Sequence, residues 1–135
     1  MDESVVEKII DWAMIMDVCG YESLVKVIIK SSLKEARQTV RLLAKAIKAG
    51  NSEDVALYAH RLKGVAMMMG ATRLSERAYQ LECVDEERDM VTAVVLLEQV
   101  KDEFEKVRLF LSKDGWIEKA KKQENTKTER QLIWK

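Results

Sequence analysis

Apolar residues recur along this chain at spacings of three and four, the pattern of helices that each bury one face. Val6, Ile9, Ile10, Ala13 and Met16 predict an amphipathic helix over residues 3 to 18, interrupted by Cys19-Gly20-Tyr21. A longer helix follows from about 22 to 49, with the stripe Val25, Ile29, Leu33 (or Ala36), Val40, Leu43 and Ile47. Gly50 ends it, and Asn51 or Ser52 caps a third helix over roughly 53 to 69, carrying Val55, Ala59, Leu62, Ala66 and Met69 on one face. Gly70 reads as the C-terminal cap of that helix, and Thr72 as the cap of a fourth over about 73 to 84, with Leu74, Ala78 and Leu81. The charged stretch Asp85 to Asp89 reads as a loop before a fifth helix, about 90 to 112, built on Ala93, Leu97, Val100, Phe104, Val107 and Leu111. The expectation is an all-α fold: an antiparallel four-helix bundle over residues 1–113, with the short N-terminal helix packed across one end. Past Gly115 the periodicity fades, so 114–135 reads as a polar tail or frayed helix. Leu132, Ile133 and Trp134 then either dock back or lie loose.

Composition agrees with this pattern and narrows the function. The chain has 135 residues with no proline and five glycines, as a helical domain requires. Lys plus Arg and Asp plus Glu number 23 each, giving zero net charge. That balance argues against a nucleic-acid binder and against a polybasic membrane-surface protein. No run of about 18 apolar residues predicts membrane insertion. The acidic Asp2, Glu3 and Glu7 stand where a signal peptide would be basic, so a cytoplasmic location is expected. Cys19 and Cys83 match no metal or redox spacing and read as small core-like residues.

The one histidine, His60, carries the candidate chemistry. At 100° per residue the core stripe of its helix lies roughly opposite, while Ala56, Lys63, Gly64 and Met67 share its face and Leu57 borders it. The imidazole is therefore expected to point to solvent. A lone histidine on a helix is most often only a surface residue. A catalytic triad needs an orienting acid and a nucleophile, and a metal site needs more ligands than one histidine and two distant cysteines. Neither a metal nor a cofactor is expected. Covalent phosphoryl carriage needs only one exposed imidazole, a competent nucleophile near neutral pH. Lys63, one turn on, can meet the added phosphate oxygens, although its blander role is a solvated lysine. A glycine inside a helix costs about 1 kcal/mol against alanine, and Gly64 lies away from the core stripe. Its missing side chain leaves room for a phosphoryl group. Met67, Ala56 and Leu57 make an apolar rim suited to a partner surface, unless the first helix covers it.

The run Ala59-His60-Arg61-Leu62-Lys63-Gly64-Val65-Ala66, followed by Gly70-Ala71, Leu74 and Leu81-Glu82, resembles the histidine phosphotransfer (HPt) family of two-component phosphorelays. Ile10-Asp11-Trp12 and Ala49-Gly50-Asn51 extend the resemblance to roughly residues 9 to 112. It implies a four-helix bundle with His60 as phosphoacceptor through the ring nitrogen remote from the backbone. Lys63 matches the family's basic residue near the phosphate, Gly64 its clearance glycine, and Gly70 the glycine where two helices meet. Val65 departs from the small or polar residue common there. The implied partners are response-regulator receiver domains and a hybrid sensor histidine kinase. The module would be a monomeric phosphocarrier with no ATP site of its own, and Mg²⁺ would belong to the partner receiver.

Two other readings stand beside this one. The chain would be the substrate domain of a chemotaxis-type kinase if flanking sequence held a kinase core. It would be a structural helical adaptor, binding through its Met-rich face, if His60→Ala left signalling intact.

Overall fold

The computed structural model describes residues 8–84 and 90–133, with side chains to Glu124. Six helices are formed there: α1 (Trp12–Cys19), α2 (Glu22–Lys48), α3 (Ser52–Met68), α4 (Thr72–Glu82), α5 (Met90–Ser112) and α6 (Trp116–Ile133). Going round the bundle, α2 packs on α3, α3 on α4, α4 on α5 and α5 back on α2, while α2 and α4 have no close backbone approach. Helix α1 crosses the end formed by α2 and α3, and α6 lies against α1 and α5. The stripe residues line the shared core: Val25, Leu43, Leu62, Ala66, Leu74, Ala78 and Val100 are all buried.

The connections between helices follow from glycine. At the α2–α3 junction Gly50 has φ +68°, its N–H donates to Ile47 O, and the Asn51 N–H donates to Ala46 O. At the α3–α4 junction Gly70 has φ +66°, with the matching pair Gly70 N–H to Met67 O and Ala71 N–H to Ala66 O. Both are Schellman closures, which reverse the chain within two residues and satisfy the last carbonyls of the helix. Asn51 then caps α3 by accepting from the Asp54 N–H at 3.1 Å.

Several sequence expectations are corrected. Of the helix expected over residues 3 to 18, residues 8–11 are not helical and α1 begins at Trp12, because the Asp11 carboxylate caps it by accepting the Met14 N–H; the part before residue 8, with Val6, lies outside the described residues. Ile10 is buried although it precedes the helix, while Ala13, expected on the apolar stripe, is exposed. The buried side of α1 is Trp12, Ile15 and Cys19. Thr72 does not cap α4; Ala71 holds the cap position with no side-chain bond. Cys19 is buried as expected, but Cys83 is exposed at the end of α4. The expected loop at Asp85 to Asp89 lies outside the described residues. Beyond Gly115 the chain forms α6, whose Ala120 is fully buried and whose Trp116 meets Trp12 edge-on at 6.4 Å. Lys121 bonds Glu22 at 2.5 Å and Lys8 bonds Glu124 at 2.7 Å, joining α6 to the start of α2 and to the lead-in of α1. Those contacts come from widely separated positions, so the short-range periodicity of this polar segment does not reveal them.

Gly70 does more than cap. The Asp11 N–H donates to its carbonyl at 2.8 Å, and a Cβ placed on Gly70 would stand 2.5 Å from the Asp11 carbonyl oxygen and 2.8 Å from Ile15. The lead-in to α1 thus rests directly on the α3–α4 turn. Gly70→Ala should destabilise the fold by about 2 kcal/mol or more, since strain at positive φ adds to a clash with backbone. Urea denaturation of the two proteins measures this; a loss under about 0.5 kcal/mol would show that the contact yields easily.

Candidate functional site

Helix α3 holds His60 on its solvent side. Val55, Ala59, Leu62, Val65, Ala66 and Met69 all face the core, which turns position 60 outward. The His60 side chain is 67% exposed. Val65, the position where the sequence departs from the family pattern, is 5% exposed and serves as a core residue.

The imidazole does not stand alone. Its Nδ1 lies 2.8 Å from Oε1 of Glu82, in the last turn of α4. The other oxygen of that carboxylate, Oε2, is 2.9 Å from Nζ of Lys63. One carboxylate therefore bridges the two basic side chains that the sequence singled out. An ionised carboxylate only accepts, so Nδ1 carries the proton and Nε2 is left with its lone pair. Nδ1 is turned toward α4, and Nε2 is the nitrogen remote from the backbone. The bond from Lys63 holds the Glu82 carboxyl below the ordinary carboxylate range; burial opposes it, and His60 adds a further, smaller lowering. Glu82 is accordingly ionised at neutral pH. The Lys63 ammonium also sits over the ring of Tyr79, 5.1 Å from its centroid, and the Ser75 hydroxyl donates to the Lys63 carbonyl at 3.3 Å. Both contacts tie this turn of α3 to α4.

Gly64 is exposed, and a Cβ built on it would meet nothing within 4 Å. Packing of the folded chain therefore does not demand glycine here. The space it leaves beside His60 is open to solvent. Along the same face Leu57 is 52% and Met67 45% exposed, with Met68 exposed beside them and Ala56 half-buried. Helix α1 touches α3 but leaves Met67 uncovered.

The structure thus brings His60, Lys63, Gly64, Ala56, Leu57 and Met67 onto one face, and sets Gly70 at the far end of α3, in the turn. Glu82 is the residue that reading for chemistry missed. It stood in the sequence only as part of Leu81-Glu82, twenty-two positions from His60. The available signal was the antiparallel geometry itself. With a tight turn at Gly70, a position about ten residues before the turn faces one about as far after it. Among the described residues no group of three or more His, Cys, Asp or Glu side chains gathers to hold a metal ion, and no helix is long and apolar enough to cross a membrane.

Comparison with known proteins meets this geometry from the other side. The family model described as the Hpt domain matches residues 27–109. No curated protein matches the chain. Among solved structures, histidine-containing phosphotransfer protein B from Pseudomonas aeruginosa PAO1 is similar, with a TM-score of 0.67 and 26% identity over 83% of this chain and 90% of that one. The match spans more than half of the chain and contains His60, Lys63, Gly64 and Glu82: the chain belongs to the Hpt domain family, the histidine phosphotransfer modules of two-component phosphorelays.

Proposed function

We propose that His60 is the phosphoacceptor of this module, taking a phosphoryl group from the aspartyl phosphate of one receiver domain and yielding it to the aspartate of another. The observation that carries the reading is the single carboxylate of Glu82 bound to both His60 Nδ1 and Lys63 Nζ. In the step, the Nε2 lone pair attacks phosphorus, the bond from phosphorus to the aspartate oxygen breaks, and the carboxylate leaves with the electron pair. The Nδ1 proton stays in place. Positive charge that develops on the ring is met by Glu82, which acts as a positioning residue through His60. Lys63 can turn from Glu82 to the new phosphate oxygens, replacing one charge-assisted bond by another. Gly64 keeps the approach to Nε2 clear, and Ala56, Leu57 and Met67 offer the apolar contact for the receiver.

On this reading the protein is a phosphocarrier without an ATP site of its own, and the Mg²⁺ that activates transfer sits in the partner receiver. A hybrid sensor histidine kinase with an attached receiver supplies the phosphoryl group. The module acts as a monomer in the cytoplasm, with which two free cysteines are compatible.

The test is transfer from a phosphorylated receiver to the purified protein, read as acid-labile label. His60→Gln should take none; label on that variant equal to wild type overturns the assignment. Glu82→Gln should retain the fold and slow transfer by about tenfold, since the amide no longer fixes the tautomer as an obligate acceptor. An unchanged rate would remove Glu82 from the mechanism.

Gly64→Ala separates the two roles of a helical glycine. Nothing within 4 Å opposes the new Cβ, so the variant should gain up to about 1 kcal/mol in urea denaturation while transfer slows. Faster or equal transfer would show that clearance is not its role.

The depressed pKa of Glu82 also has a pH signature. The contribution of its ion pair to stability is present above the pKa of the unfolded carboxylate, and is lost as pH falls through the lower folded value. Wild type should therefore lose more stability than Glu82→Gln does as pH falls from about 5 to about 2, as denaturant midpoints would show. Parallel losses would mean the pair adds nothing.

A further inference from the structure

Helix α2 carries a second feature that phosphotransfer at His60 does not use. Lys26, Lys30, Lys34, Arg37, Arg41 and Lys45 follow one another at spacings of four, four, three, four and four, and all are exposed. At that spacing they form one ridge, within an arc of about 100° on the solvent side of the helix, about 29 Å long at 1.5 Å per residue. The zero net charge of the chain conceals it, because most acidic residues lie on other elements; α2 itself carries only Glu22 and Glu35.

The ridge differs from an ordinary solvated face in its pairing. On α5 the cations pair with carboxylates of their own helix: Lys101 with Glu98, Lys106 with Asp102, and Arg108 with Glu105. On α2 none of the six makes an ion pair among the described residues; Arg37 lies within electrostatic reach of Glu105 across on α5, and Glu22 stands one turn before Lys26. Lys45 is in the last turn, where the helix dipole favours a cation, but the other five are not. Like charges one turn apart repel, so the row works against its own helix until an anion meets it. At its N-terminal end the ridge opens into a groove of about 220 Å³, with Lys26 and Lys30 on the rim and Ile29, Leu33, Leu111 and Trp116 along the floor.

We propose that this ridge and groove dock an acidic segment of a partner protein, laid along α2 with one apolar side chain anchored between Leu33, Leu111 and Trp116. The surface selects a narrow partner. The cations run in one band along a single helix, and the groove at the end of that band has an apolar floor that fits a side chain. A single acidic segment with an apolar residue matches both features, whereas a duplex backbone or a plane of lipid headgroups presents no such side chain. Its place is compatible with phosphotransfer: α2 and α4 have no close backbone approach, and the His60 ring is turned toward α4. A bound segment would hold a partner beside the module while leaving Nε2 open.

The probe is a fluorescein-labelled peptide of about 20 residues, long enough to cover the ridge, with Glu at the same spacing and a Phe-Leu pair near one end. Anisotropy titration of the full chain should show binding that weakens as salt is raised. The variant Lys30→Glu/Lys34→Glu/Arg41→Glu should lose at least about tenfold in affinity, and the corresponding triple Gln variant, which keeps helix propensity, should lose less. A peptide with Ala in place of Phe-Leu should bind more weakly, and His60→Gln protein should bind as wild type does, which separates this surface from the phosphoacceptor. Affinity unchanged in the charge-reversed variant overturns the proposal, as does tighter binding of duplex DNA or phosphatidylglycerol vesicles than of the acidic peptide.

Discussion

The turn at Gly70 sets the register of everything that matters at the site. Because α3 and α4 reverse within a two-residue Schellman closure, they run back to back and positions equidistant from the turn are brought together. His60 lies roughly 15 Å up one helix, and Glu82 a similar distance up the other. An extra residue in that turn would rotate Glu82 about 100° away from the imidazole. The same glycine gives its carbonyl to Asp11 and leaves no space for a side chain. One backbone position thus joins the histidine helix, the helix that supplies its carboxylate, and the lead-in that closes the end of the bundle.

The chemistry that follows depends on sharing. Glu82 has one carboxylate and two basic neighbours, so each neighbour is held by a different oxygen. His60 is thereby given a defined tautomer while remaining largely exposed. Lys63 is kept close to the ring by an ion pair and by the face of Tyr79, without being buried. A carrier needs this combination. Its nucleophile has to be accessible to large partners, yet oriented before they arrive, and a partner on an adjacent helix orients it without covering it. Charge is handled differently elsewhere in the bundle. Glu103, 5% exposed, is held by Arg73 at 3.2 Å and stitches α4 to α5. The ridge cations of α2 form no ion pair among the described residues.

Much of this was legible from residue order. The helical periodicity of α2, α3, α4 and α5, the stops at Gly50 and Gly70, and the outward direction of His60 all follow from local spacing, since a helix places residues at fixed angles whatever surrounds it. Lys63, Gly64 and Met67 follow from the same geometry, being neighbours of His60 on one helix. Where local rules competed, the reading failed. Ile9 and Ile10 continue an apolar pattern, but Asp11 caps the helix and leaves Ile10 buried in the segment before it. Trp116, Ala120 and Lys121 look like part of a polar tail until the positions of Trp12 and Glu22 are known.

Sequence by itself therefore determined the four bundle helices, their buried faces and the outward placement of His60, because each depends on residues within a turn or two of one another. Tertiary structure decided which nitrogen of His60 is free, that Lys63 is paired in the resting state, and that α6 docks against α1 and α5. Those facts rest on contacts between residues distant along the chain, 22 positions for His60 and Glu82 and 116 for Lys8 and Glu124. No periodicity within a single helix encodes such pairs. They exist only once the turn at Gly70 and the packing of the bundle have set the helices side by side.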